Sequence, residues 1–301
     1  MSIEVKNLTK KYGDQEAISS VSFQIDKGEI AGFIGPNGAG KSTTMKILAC
    51  YTLPTSGEAY VNGISIYDQP LKIRQTIGYL PEQNPLYNDL YVIEYLEFLY
   101  RLHHLKGNRK KRIAEMIEMT GLGDEKHKKI GQLSKGYRQR VGLAQSLIHN
   151  PDVLILDEPT SGLDPNQIVD IRNLIREIGK TRTVLLSSHI LQEVQAICSR
   201  IIIIDKGKIV ADDITEKLLK MPVSLATVRV RFKNTVEKES LSSLPVKDIL
   251  YKDNYWFITS EDAEIREKIY EFAVSSGNII LELSQETGNL EQIFQQLTQK
   301  P

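Results

Sequence analysis

Cysteine is scarce in this 301-residue chain, with Cys50 and Cys198 the whole complement. They stand far apart, match no metal-ligand spacing and cannot build a disulfide framework, so they are expected as reduced core residues of a cytosolic protein. Neither sign of charge is in excess, since 38 Lys and Arg balance 38 Asp and Glu. A dedicated nucleic-acid binder carries a basic surplus, so no nucleic acid is expected as partner. Long apolar runs are missing too. Stretches such as Ile201–Ile204 fall far below the roughly 20 residues of a membrane helix, and Met1–Lys6 holds no apolar signal segment. Any membrane role is expected to run through a partner. There is no internal repeat and no low-complexity tract. What remains is an ordinary globular composition, 41% hydrophobic and 25% charged. It is long enough for one large domain and a small second one.

Against that background residues 35–42 stand out: Gly35-Pro36-Asn37-Gly38-Ala39-Gly40-Lys41-Ser42. This is the spacing G-x-x-x-x-G-K-[ST]. Glycines let the backbone curl until several N–H groups face one concavity, a lysine reaches the outer phosphates, and a hydroxyl ligates Mg²⁺. The apolar run Ile30–Ile34 before it suits a buried parallel strand. Residues 43–48 after it suit a helix whose positive end faces the anion.

The remaining texture is alternation followed by βαβ. Residues 2–8 and 19–25 alternate as half-exposed strands, and 57–66 reads as a hairpin turning at Asn62-Gly63. Residues 91–121 take helical spacing through Val92, Tyr95, Leu96, Leu99, Ile113, Met116 and Ile117. Strands are expected at Val153–Leu156, Thr183–Leu186 and Ile201–Asp205, with a helix between the first two, which implies a right-handed parallel sheet. A helix over 214–220 stops at Met221-Pro222. Beyond it lies a small α+β unit. Its strand holds Val228, Val230 and Phe232, and a hairpin over 249–260 turns at Asp253-Asn254. A helix through Ile265, Ile269, Phe272 and Ala273 follows, then a strand over 279–283 and a closing helix through Leu290, Ile293, Phe294 and Leu297.

Chemistry gathers downstream of the loop. Asp157 and Glu158 emerge at the C-terminal end of an apolar strand, where ligands sit in open α/β sheets. Asp157 can hold Mg²⁺, and Glu158 can act as general base on a water. Ser161-Gly162-Leu163-Asp164-Pro165 forms a tight loop. His189 closes the strand at 183–186 and can reach a γ-phosphate. His103, His104, His127 and His149 have no such context and are expected in solvent. Leu133-Ser134-Lys135-Gly136-Tyr137 leads into a helix at 141–149, with Ser134 and Gly136 opening it. Lys106–Arg112 is a basic run expected to form a solvated helix start.

The order of these stretches resembles the ATPase subunit of ABC transporters from about residue 2 to 220. The resemblance implies an α/β fold: a P-loop NTPase core with a mixed, largely parallel sheet, an N-terminal antiparallel β subdomain and a helical insert at about 84–148. The nucleotide-binding domain would span 1–220 and a small accessory α+β domain 222–301. It implies an ATPase with ATP and Mg²⁺ as cofactors. By position, Tyr12 takes the adenine-stacking place. Gly35, Pro36, Asn37, Gly38, Ala39, Gly40, Lys41, Ser42 and Thr43 form the Walker A loop. Ser134, Lys135, Gly136 and Tyr137 form the signature, and Asp164 belongs to the D-loop. Asp157 and Ser42 take the metal, while Glu158 and His189 are catalytic. Two motifs depart from the family pattern. Lys135 and Tyr137 replace the usual signature residues, and Glu82, with Gln83 after it, stands where a glutamine is common. Glu82 is assigned to the metal or a water, and Gln83 is the alternative.

The resemblance also implies partners. A second copy, or another ABC ATPase, would complete an ATP sandwich, and integral-membrane permease subunits would dock on the helical insert. The chain would then lie in the cytoplasm, peripheral on the inner face of the cell membrane. The small tail resembles that of ABC-2 type exporter ATPases, and over its whole length the chain is similar to gliding-motility-associated ABC ATPases. Two other readings compete. A soluble ABC ATPase working on ribosomes or DNA would carry tandem cassettes or a coiled-coil insertion. An ATP-gated interaction module would lack the general base.

Overall fold

The computed structural model describes residues 1–219, 226–262, 264–286 and 290–298, so Met221-Pro222 lies outside the described residues. The chain divides into two compact units, Met1–Thr215 and Glu216–Pro301.

The first unit holds two sheets. In the antiparallel one, the strands Ile3–Tyr12 and Gln15–Ile25 pair, and Ile3–Tyr12 pairs on its other edge with Ser56–Val61, which turns at Asn62-Gly63 into Ile64–Ser65. The alternation seen at 2–8 and 19–25 is the inner part of longer strands whose hairpin turns at Gly13-Asp14. The second sheet has six strands in the order Lys208–Ile214, Arg200–Asp205, Ile30–Ile34, Thr183–Ser188, Val153–Leu156 and Ile77–Leu80. All its pairings are parallel except the first. Lys208–Ile214 is a strand that the apolar pattern does not announce, because its residues are mostly half-exposed. It takes Ile214 from the expected helix, which begins at Thr215 and runs to Leu219.

The central strands are buried along their whole length, Val153–Leu156 and Ile201–Ile204 at 0% exposure, so they read as unbroken apolar runs. Ile3, Phe23, Phe33, Met45, Val61, Ile155 and Ile202 belong to one core that joins the two sheets to the helix Lys41–Leu48. Register aligns the strand ends. Ile34 pairs with Ser188, Leu156 with Leu186, and Leu80 with Leu156. The segments after these strands, beginning at Gly35, Asp157, His189 and Pro81, therefore leave one edge of the sheet together.

The helical stretch at 91–121 is two helices, Val92–Leu102 and Arg109–Met119. They separate at His104 and Gly107, both at positive φ. The next helix spans Lys135–Leu147, not 141–149. Ser134 caps it by accepting from the Tyr137 amide, which moves its start six residues toward the N-terminus. Two of the histidines expected in solvent are packed instead. His103 and His149 stack with ring centroids 4.3 Å apart at 4°, and a nitrogen of His149 lies 2.8 Å from the Ile77 carbonyl.

The second unit is a four-stranded antiparallel sheet ordered Asp248–Lys252, Tyr255–Ser260, Ala226–Phe232 and Ile280–Glu286. Its own core gathers Val228, Val230, Ile258, Ile265 and Ile269. Among the described residues no helix is long and apolar enough to cross a membrane.

Candidate functional site

The loop after Ile30–Ile34 curls because its glycines accept what other residues refuse. Gly40 sits at φ 110°, and a side chain there would come within 2.5 Å of the Ile18 methyl and 2.7 Å of the Ala17 carbonyl. Gly38 sits at φ 80° in open space. The helix Lys41–Leu48 follows at once, with no acidic residue in its first turn. Its first N–H groups have no intrahelical carbonyl and point back at the loop, a ready anion site.

Lys41 is 6% exposed. Its ammonium donates to the carbonyls of Gly35 at 2.8 Å and Pro36 at 3.2 Å, and stands 4.0 Å from Glu158 Oε1. Burial pulls its pKa below the ordinary lysine value, while Glu158, Asp157 and Glu82 pull it back up. A buried cation held by two carbonyls and one distant carboxylate is suited to an incoming anion.

The strand Val153–Leu156 delivers the two carboxylates to different environments. Asp157 is 1% exposed, and Ser187 donates to its Oδ1 at 2.7 Å. The same Ser187 hydroxyl accepts from the Glu158 amide at 2.9 Å. Glu158 has φ 51°, unusual for a residue with a side chain and costing on the order of 1–3 kcal/mol. The serine bond, and the Ser161 amide donating to the Glu158 carbonyl at 3.1 Å, hold it there. Its Oε2 lies 2.7 Å from His189 Nδ1, so the ring, 51% exposed at its side chain, is oriented by the carboxylate.

These groups wall one cavity of about 460 Å³, lined by Asn37, Gly38, Gly40, Lys41, Ser42, Thr43, Glu82, Glu158, Ser161 and His189. Gly35, Pro36, Ala39 and Asp157 do not line it. Of the two candidates for the common glutamine position, Glu82 lines this cavity and Gln83 does not. Both line a neighbouring cavity of about 760 Å³, together with Lys135, Arg138 and Ser161.

The structure leaves other expected residues apart. Tyr12 is 51% exposed, with the Lys10 ammonium 5.0 Å from its ring, and does not line the cavity. Neither do Ser134, Lys135, Gly136, Tyr137 and Asp164. Those five instead gather beside one another. Asp164 caps the helix Pro165–Gly179 by accepting from the Gln167 amide at 3.0 Å. Gln167 packs on the bare face of Gly136, and the Lys135 ammonium fills the space beside Gly162.

Sequence reasoning missed Ser187 as a bridge between the carboxylates, and Ser161 as a wall residue. The first carries no mark in the sequence beyond following the apolar run at 183–186. Among the described residues no cluster of three or more His, Cys, Asp or Glu side chains could hold a metal. Ser42 and Asp157 as oxygen donors beside a triphosphate do suit Mg²⁺, which binds through few protein ligands plus phosphate oxygens and water.

A family profile described as ABC transporter matches residues 18–161. The chain is 32% identical over 297 residues to the uncharacterized ABC transporter ATP-binding protein YxlF of Bacillus subtilis, covering 97% of this chain and 98% of that one. It is 38% identical over 212 residues to the bacitracin transport ATP-binding protein BcrA of Bacillus licheniformis, 70% of this chain and 69% of that one. Among solved structures it is similar to the dimeric post-hydrolysis state of the ATP-binding cassette MJ0796 bound to ADP and Pi. There the TM-score is 0.66 at 30% identity, over 71% of this chain and 98% of that one.

Proposed function

Because the chain belongs to the ABC transporter family and is an ATP-binding, ATP-hydrolysing subunit of such a transporter, we propose that two copies close around two ATP molecules and so drive an ABC-2 type exporter. The observation that carries this reading is where the signature residues lie. Ser134, Gly136 and Tyr137 are absent from the wall of the phosphate cavity, so one copy supplies half of a site. A second copy supplies the other half from its own Ser134–Tyr137. The γ-phosphate oxygens then bridge two surfaces, and their loss on hydrolysis releases them.

The chemistry follows from the side chains. Lys41 exchanges its loop carbonyls for phosphate oxygens. Glu158 takes the proton of a water attacking the γ-phosphorus as the bond to the ADP oxygen breaks. His189, held through Nδ1 by Glu158, turns its other nitrogen toward the γ-phosphate. Tyr12 offers its exposed ring to the adenine. Ser42 and Asp157 would hold Mg²⁺, and Glu82 would bind the ion or a water on it. When bound, the ion would supply positive charge against the outer phosphates.

The membrane partner in this reading is an integral-membrane permease docked on the helical insert, which sets the chain peripherally on the inner face of the cell membrane. The 760 Å³ cavity supports it, because residues of the insert line it and Glu82 belongs to both cavities. Export is supported by the second unit and by the relative named for bacitracin transport. No observation favours a gliding role.

The test is Glu158→Gln, which removes the base and keeps the shape. With ATP and Mg²⁺ the purified variant should elute as a dimer by light-scattering chromatography and return to monomer when ATP is omitted. A variant that stays monomeric with ATP at high protein concentration overturns the sandwich.

A further inference from the structure

Glu193 lies on the first turn of the helix Leu191–Ile197, four residues past His189, and is 4% exposed. Its Oε2 accepts from two hydroxyls. One is Thr160, two residues past Glu158, and the other is Ser188, the neighbour of His189, at 3.3 Å. Both partners are buried, at 3% and 0% exposure. Oε1 is buried with no partner. Ser188 is also tied to the helix start, accepting from the Ile190 amide at 3.0 Å.

A buried carboxylate with one satisfied oxygen is costly, and an apolar residue of like volume usually serves stability as well or better. What the carboxylate does uniquely is tie two separate chain segments at one atom. One segment carries Glu158 and the other carries His189, whose mutual contact at 2.7 Å orients both. We propose that Glu193 is a positioning residue for ATP hydrolysis, a strut that fixes the Glu158 segment against the His189 segment without touching the nucleotide. Thr160 and Ser188 are its points of attachment, and neither lines the phosphate cavity. The strut rests on the reading of Glu158 as general base.

The strut should govern turnover and not binding. In the purified full chain, Glu193→Leu should lower kcat by roughly ten- to a hundredfold, because small misplacements of catalytic groups cost that much. Its KM for ATP, and its affinity for a fluorescent ATP analogue, should stay within about twofold of wild type. Glu193→Gln, whose carbonyl can still accept both hydroxyls, should keep most of the activity. The Thr160→Val/Ser188→Ala variant should reproduce the loss, and adding Glu193→Leu to it should lower kcat no further. It also decides the matter if Glu193→Leu fails to fold. Normal kcat in either variant, losses that add independently, or kcat and affinity falling together would overturn the strut. Wild type and Glu158→Gln run alongside test the base itself. Hydrolysis that survives Glu158→Gln overturns that reading, and the strut with it.

Discussion

At the scale of single residues, the phosphate loop makes the sharpest prediction. Gly40 and Gly38 share a left-handed backbone but differ in surroundings, the first pressed on Ile18 and Ala17 and the second open. Gly40→Ala should therefore lower ATP affinity more than tenfold, since about 1.4 kcal/mol of displaced loop already gives that factor. Gly38→Ala bears only backbone strain, of about 1–2 kcal/mol. Equal affinities for both variants, measured by calorimetric titration, would contradict the steric account. His149 gives the pH prediction. Burial first, then the stacked His103, hold its pKa down to about 4, against the opposing Ile77 carbonyl and with Arg112 adding to the fall. Burial lowers His103 as well. The folded His149 ring stays neutral where the unfolded one takes up a proton, so stability is full above the ordinary histidine value and falls as pH drops from about 6.5 toward 4. Between pH 7 and 5 the loss from His149 should reach about 2 kcal/mol at most. Urea unfolding of wild type and His149→Phe should show a flatter pH slope in the variant, and identical slopes would remove His149 as the cause.

Burial made most elements legible, although the largely buried strand Ile77–Leu80 was not among those expected. Val153–Leu156 and Ile201–Ile204 announce themselves because both faces are covered, so nothing polar interrupts them. Lys208–Ile214 stays hidden because it is an edge strand with a half-exposed pattern, and the Lys206-Gly207 turn is its only local mark. The helix start at Lys135 is missed for a related reason. Its first turn carries charge and glycine, and the apolar face begins only at Val141. The site reads likewise. Loop, acidic strand end and His189 are continuous motifs, whereas the hydroxyl bridge of Ser187 joins residues 30 apart and is visible only in three dimensions. Caps offer an independent test of the helical reading. Asn108 opens Arg109–Met119 by accepting from the Lys111 amide at 3.1 Å, away from the phosphate cavity. Asn108→Ala should cost about 1 kcal/mol of stability and leave ATPase activity intact. Unchanged stability would mean that the cap carries no weight there.

For the molecule as a whole, the question is which part of the chain contains the motor. Every residue lining the phosphate cavity falls between Asn37 and His189, inside the unit Met1–Thr215. The signature and Asp164 fall inside it as well. Among the described residues, the second unit's sheet has its own core of Val228, Val230, Ile258, Ile265 and Ile269. If the composite site alone brings two copies together, the closing energy resides in Met1–Thr215. A chain ending after Leu219, which keeps the helix Thr215–Leu219 whole, should then bind ATP within about threefold of the full chain, a difference below 1 kcal/mol. The same truncation carrying Glu158→Gln should still dimerise with ATP and Mg²⁺. Dimerisation lost while ATP affinity is kept would assign part of the closing surface to Glu216–Pro301. In that case the second unit would be a brace for the sandwich, and the signature residues would be insufficient to close it.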